Sequence, residues 1–248
     1  MRISEKDWVN YINRLSQVNK KAAAEMKKYV GTYGLGNRKA VIDYAYAIST
    51  KYGEAAAALA CEMYDATALA SKANVPPAVP ANTPEYGEVA KAVNGTLKQS
   101  ENTDLLSNAV GRLVKRTGAD TTLLNAERDG AEFAWVPHGD TCSFCIALAS
   151  RGWQRMSKAA LKGGHAEHIH ANCDCTYEVR FDSSMEVEGY DPDEYLRMYN
   201  EAEGSSSKDK INAMRREHYA ANKEKINAQK RAAYHKNKSD NKQPLRIT

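Results

Sequence analysis

Apolar residues recur at a mostly helical spacing from Glu5 to Val30, where Trp8, Tyr11, Ile12, Leu15, Val18 and Met26 share a face. Ser4 with Asp7 supplies an N-terminal cap, and Gly31, Gly34 and Gly36 are predicted to stop the helix. Two further helices are predicted, Lys39 to Lys51 and Glu54 to Ser71, the second containing the run AAAALA. Alanine favours helix and its small side chain lets helices approach closely, so this part reads as a helical hairpin or bundle. NVPPAVPANTP then holds four of the seven prolines. Each proline lacks an amide donor and clashes with the preceding turn, so the segment is a linker or a long ordered crossing. Shorter helices are predicted from Glu85 to Lys98, Asp104 to Arg116 and Thr121 to Arg128. After Gly130 the pattern changes: FAWVP can form a strand, and TYEVRF after Cys175 alternates enough to be its partner. DPDEYLRMYNEAE is a short helix entered through Asp191 and Pro192.

The predicted fold is mainly α with a small α+β cysteine-rich module, a helical N-terminal part, and a basic repeat tail that can form helix. The predicted divisions are a helical region over 1–75, a Pro-rich linker over 76–83, the helical plus α+β module over 84–181, a short helix or linker over 182–204, and the tail over 205–248. In the tail KDKINAMRREHYAAN is followed by KEKINAQKRAAYHKN, a 15-residue period that aligns Ile211 with Ile226, Arg216 with Arg231 and Tyr219 with Tyr234. Two copies are too few for a solenoid. Their low apolar content predicts an extended or marginal helix that orders on a partner through Ile and Tyr anchors.

Charge sharpens this division. Ser205 to Thr248 carries 12 Lys and Arg against 4 Asp and Glu, a net of +8 that leaves −4 for the rest of a chain whose total is +4. The acidic body argues against a broad nucleic-acid surface there, whereas the tail suits phosphates or an acidic protein. The mean hydropathy is −0.64, and no stretch approaches the roughly 20 apolar residues of a membrane span. The N-terminus lacks a signal peptide's apolar centre, so synthesis in a cytoplasm is expected. At 248 residues the chain can bury a sizeable core without help from a metal.

The candidate chemistry lies in WVPHGDTCSFCIALASRGW and HAEHIHANCDCTYEVRF. Cys142 and Cys145 form a C-x-x-C pair, and Cys173 and Cys175 form a C-x-C pair beginning 28 residues after Cys145. His165, His168 and His170 precede the second pair. Thiolates and neutral imidazoles are the ligands tetrahedral zinc prefers, and closely spaced pairs reach one ion with little closure entropy. Four cysteines, or three with His170, complete a structural shell; a redox pair and cysteines packed without a metal are the alternatives. A thioredoxin-like dithiol belongs in a βαβ unit, which is not predicted here. His165-Ala166-Glu167 spells H-x-E, but zinc deaminases place H-x-E before the C-x-x-C, and here the order is reversed. H-E-x-x-H, G-x-S-x-G, a phosphate loop and a dinucleotide glycine signature are absent. A metal-dependent DNA nuclease would use His168 and His170 with Asp174. Trp135 and Trp153, which flank the first pair, read as packing around the site, and Arg128 and Arg151 as surface arginines.

These motifs, from about Thr121 to Arg180, resemble the minor head protein, or head morphogenesis, family of tailed phages related to the Mu F protein. Members carry a tryptophan-containing strand, a C-x-x-C, a variable insert, and an H-P-x-C-x-C-like ending before a strand. Cys142, Cys145, His170, Cys173 and Cys175 match that pattern, with Ala171 in place of the frequent proline. The resemblance implies a minor capsid component, not an enzyme, present in multiple copies near the portal during procapsid assembly. It would be made in the host cytoplasm, reside in the procapsid or virion, bind portal and major capsid proteins, hold structural zinc, and contact packaged DNA through its basic tail. It implies no membrane partner.

Overall fold

The computed structural model describes residues 5–99, 102–137, 143–155, 175–185, 187 and 190–201. The order is α1 (Glu5–Tyr33), α2 (Arg38–Ala70), α3 (Tyr86–Gln99), α4 (Thr103–Asp129), β1 (Glu132–Val136), α5 (Ser143–Ala149), β2 (Gln154–Arg155), β3 (Thr176–Arg180) and α6 (Pro192–Glu201). The fold is mainly α-helical with a small three-stranded β module and a cysteine pair beside it. The chain divides into the compact units Met1–Leu196 and Arg197–Thr248. The repeat tail predicted from Ser205 onward lies outside the described residues. No helix among the described residues is long and apolar enough to cross a membrane.

Helix α1 follows its predicted spacing. Tyr11, Leu15, Ala22, Met26 and Val30 are buried on one face. The helix runs through Gly31 and ends at Gly34, whose φ of 70° lets its N–H reach the Val30 carbonyl at 2.8 Å.

The centre of the bundle departs from the prediction. The helices expected over Lys39 to Lys51 and Glu54 to Ser71 are one 33-residue helix, α2. Those expected over Asp104 to Arg116 and Thr121 to Arg128 are one 27-residue helix, α4. The glycines near the expected breaks are points of close approach. A Cβ on Gly53 would stand 3.1 Å from Thr83 Cγ2 and 3.2 Å from Thr117 Oγ1, and one on Gly118 would stand 3.3 Å from the Ala56 carbonyl oxygen. Helical glycine costs about 1 kcal/mol relative to alanine, and dense packing between the helices offsets that cost. Buried positions run around both α2 and α4, so these two form the centre, with α1 and α3 packed against them.

The proline-rich segment between α2 and α3 is a strap held by side chains. Asn125, fully buried on α4, accepts from the Val79 N–H at 2.9 Å and donates to the Val79 carbonyl at 2.8 Å. Asp65 accepts from the Ala78 N–H at 2.8 Å, and the Thr121 hydroxyl accepts from the Ala81 N–H at 3.0 Å. Arg128 donates to the Pro76 and Pro77 carbonyls at 2.9 and 3.0 Å. Prolines cannot complete a backbone ladder, so side chains from α2 and α4 replace it. Asn125→Ala is expected to cost about 2–3 kcal/mol, because it removes both bonds to Val79 and the one to the Thr121 carbonyl. Urea unfolding should show a lower midpoint at unchanged slope; a loss below about 0.5 kcal/mol would mean that the strap is not held through Asn125.

Gly130, at φ 67°, ends α4 in a left-handed turn that brings the Ala131 N–H to the Ala126 carbonyl at 3.0 Å. The chain enters β1 two residues later. The two predicted strands pair antiparallel, with Phe133 opposite Val179 and Trp135 opposite Tyr177. The short β2, which the hydrophobic pattern did not mark, pairs with the other edge of β1. Phe133, Trp135, Tyr177 and Val179 cluster with Tyr64 of α2 and with Leu123 and Ala126 of α4. Ala134 and Val136, on the opposite face, cluster with Ala149 and Tyr190.

Candidate metal centre

Of the five predicted ligands, Cys145 and Cys175 are described, whereas Cys142, His170 and Cys173 lie outside the described residues. His165, His168 and Asp174 lie outside them as well. Cys145 is the third residue of α5, and Cys175 immediately precedes β3. Both are wholly buried, and both belong to the apolar cluster that contains Trp135 and Tyr177. The fold therefore brings together the second cysteine of each predicted pair. Their pair-mates stand three and two residues earlier in the chain. Among the described residues no three His, Cys, Asp or Glu side chains gather as a metal-binding group.

The donor chemistry of the two described residues fits zinc. Thiolates are soft ligands, and an apolar shell limits solvent access to the ion they would hold. Either shell read from the sequence, four cysteines or three with His170, contains both Cys145 and Cys175. The tryptophans pack around this region as expected. Trp135 is 3% exposed and stands edge-on to Tyr177 at 4.7 Å, and Trp153 stands edge-on to Tyr190 at 5.9 Å with the Arg180 guanidinium 4.6 Å above its ring.

A cavity of about 10 Å³ adjoins Cys175, lined also by Tyr11, Lys115, Thr122, Trp135, Thr176 and Tyr177. That is room for roughly one water, not a substrate. Burial pushes the Tyr11 hydroxyl pKa well above its ordinary value, with the charge of Glu178 acting in the same direction. Burial raises Tyr177 similarly. Both are neutral hydroxyls at physiological pH. Lys115, only 3% exposed, was not legible as part of this region. In the run VKRTGAD it looks like any surface lysine, and only the all-round burial of α4 reveals its place.

Other polar groups brace the fold. Tyr64 donates to Asp129 Oδ2 at 2.8 Å, and Arg128 donates to both oxygens of the same carboxylate at 2.7 Å. Burial works to raise the Asp129 pKa, but the Arg128 and Tyr64 hydrogen bonds outweigh it and hold the carboxyl below its ordinary range. Arg128, expected at the surface, thus joins the end of α4 to the strap. Cys61 is remote in sequence from the pairs. Burial and the charge of Asp65 raise its thiol pKa against the pull of Arg128, which disfavours the thiolate a nucleophile needs.

No curated protein and no solved structure matches the chain. The family described as VG15 protein matches residues 2–202, a span that takes in the helices, the sheet and the cysteine pairs and ends before the basic repeats. With four-fifths of its length matched by that family, the chain belongs to the VG15 protein family.

Proposed function

We propose that the protein is a minor capsid, head-morphogenesis component of a tailed phage, acting near the portal in procapsid assembly, with a zinc-braced module and no catalytic role. The observation that carries this reading is the meeting of Cys145 and Cys175 beside the Trp135 strand. It places a C-x-x-C helix and a C-x-C strand entry around one sheet, in the order of the resembling head proteins. The helical bundle supplies surface for portal and major capsid subunits. The basic repeats supply cationic contacts to packaged DNA, and several copies in one assembly strengthen contacts that are individually weak. The protein then resides in the procapsid or virion after synthesis in the host cytoplasm.

The test is isolation of procapsids and heads from infected cells, with mass spectrometry of their components and elemental analysis of this chain. The expected result is stoichiometric presence with the portal protein and bound zinc. Recovery only as a free protein that cleaves DNA in a metal-dependent way, with cleavage lost in His168→Ala or His170→Ala, would overturn the assembly reading.

A further inference from the structure

We infer that Lys115 is the buried cation that balances the charge of the zinc site, an inference that rests on the zinc reading above. Four thiolates around Zn²⁺ carry a net charge of −2, and three thiolates with a neutral imidazole carry −1. Either shell is an anion set in an apolar cluster, where uncompensated charge is strongly unfavourable. Lys115 is 3% exposed and lines the same water-sized cavity as Cys175. Its ammonium lies 6.0 Å from the centre of the Trp135 ring, and Trp135 shares its apolar cluster with both cysteines. A buried lysine at the centre of a helix bundle is itself unfavourable. A neighbouring anionic metal shell makes the two groups mutually stabilising and explains a cation where leucine or methionine would fill the same volume.

Glu178 is the other buried charged residue of β3. Strand alternation separates it from this face. Tyr177 and Val179 enter the cluster with the cysteines, whereas Glu178 stands opposite Ala134, whose cluster is the one on the far side of the sheet. Lys115 is therefore a positioning residue for the metal shell rather than one half of a Lys–Glu pair within the sheet.

The experiment measures zinc affinity of the full chain by chelator competition in the parent, Lys115→Met, Lys115→Arg and Glu178→Gln, with circular dichroism to verify the helices. Changes just outside a metal's ligands typically weaken affinity roughly tenfold to a hundredfold, and that loss is expected for Lys115→Met. Lys115→Arg should stay closer to the parent, and Glu178→Gln should match it. With cobalt in place of zinc, the sulfur-to-metal charge-transfer band should shift in Lys115→Met, which a purely structural lysine would not produce. If Lys115→Met loses its helical signal, Lys115→Gln replaces it. A parent that binds zinc with equal affinity in all the variants refutes the role of Lys115 alone. So does a Glu178→Gln loss as large as that of Lys115→Met. A parent that takes up no zinc refutes the metal reading and this inference together.

Discussion

Replacing Gly118 with leucine is expected to destabilise the protein by about 3 kcal/mol, at the upper end of the range for overpacked cores. A Cβ there would stand 3.3 Å from the Ala56 carbonyl oxygen and 3.6 Å from both the Ala56 Cβ and Leu15 Cδ1. The carbonyl belongs to the backbone of α2, so it cannot rotate aside as a side chain would. The adjoining cavity of about 10 Å³ cannot take the rest of the leucine, because its room is roughly that of one water. The helices must separate, loosening the contact along which Gly53 meets Thr117. Gly118→Ala is the informative contrast. Its single methyl group meets the same oxygen, but alanine recovers about 1 kcal/mol of helix propensity, so its net effect should be small. Urea unfolding followed by circular dichroism measures both. A leucine variant within 1 kcal/mol of the parent would show that α2 and α4 do not approach this closely.

The same two glycines explain what could be read in advance. A helical spacing such as that of Tyr11, Leu15 and Met26 is a local property, and α1 obeys it because only one of its faces is buried. Helices α2 and α4 are buried on most sides. Their amphipathic period is therefore weak, and Gly53 and Gly118 looked like breaks when they are sites of close approach. The strands around Trp135 and Tyr177 were legible because β-branched and aromatic residues sit beside turn signals, whereas the two residues of β2 carry no pattern of their own. The strap was legible as a place without helix. Its anchoring was not, since Asp65, Thr121 and Asn125 look like ordinary helix-surface polar residues until the fold sets them against Ala78, Ala81 and Val79. At the candidate site the cysteines announced themselves by spacing. Lys115 did not, because its significance comes from α4 packing on the sheet.

On the zinc reading, the largest effect comes from removing the metal or one of its described ligands. Structural zinc contributes an apparent 10–16 kcal/mol of folding free energy, roughly, in small zinc-binding peptides. Here the consequence should be concentrated in the module. The bundle's main core runs from Tyr11 to Val114 and contains no residue of the sheet, while the cluster holding Cys145 and Cys175 includes Phe133, Trp135, Tyr177 and Val179. Chelation of the parent is therefore expected to abolish the hydrogen-exchange protection of β1 and β3 amides while α2 keeps much of its own. Cys145→Ser and Cys175→Ser should lose bound zinc and show the same pattern without chelator. A serine hydroxyl buried among aromatic rings is itself unfavourable by about 1–3 kcal/mol, so loss of stability in these variants is not by itself a sign of metal. The discriminating comparison is chelator added to each: it should change the parent and Cys61→Ser, whose thiol lies outside the cluster, and leave Cys175→Ser as it was. Equal exchange in the parent with and without chelator, with no zinc found by elemental analysis, would leave Cys145 and Cys175 as packing residues and remove the metal from the account of how the sheet is held.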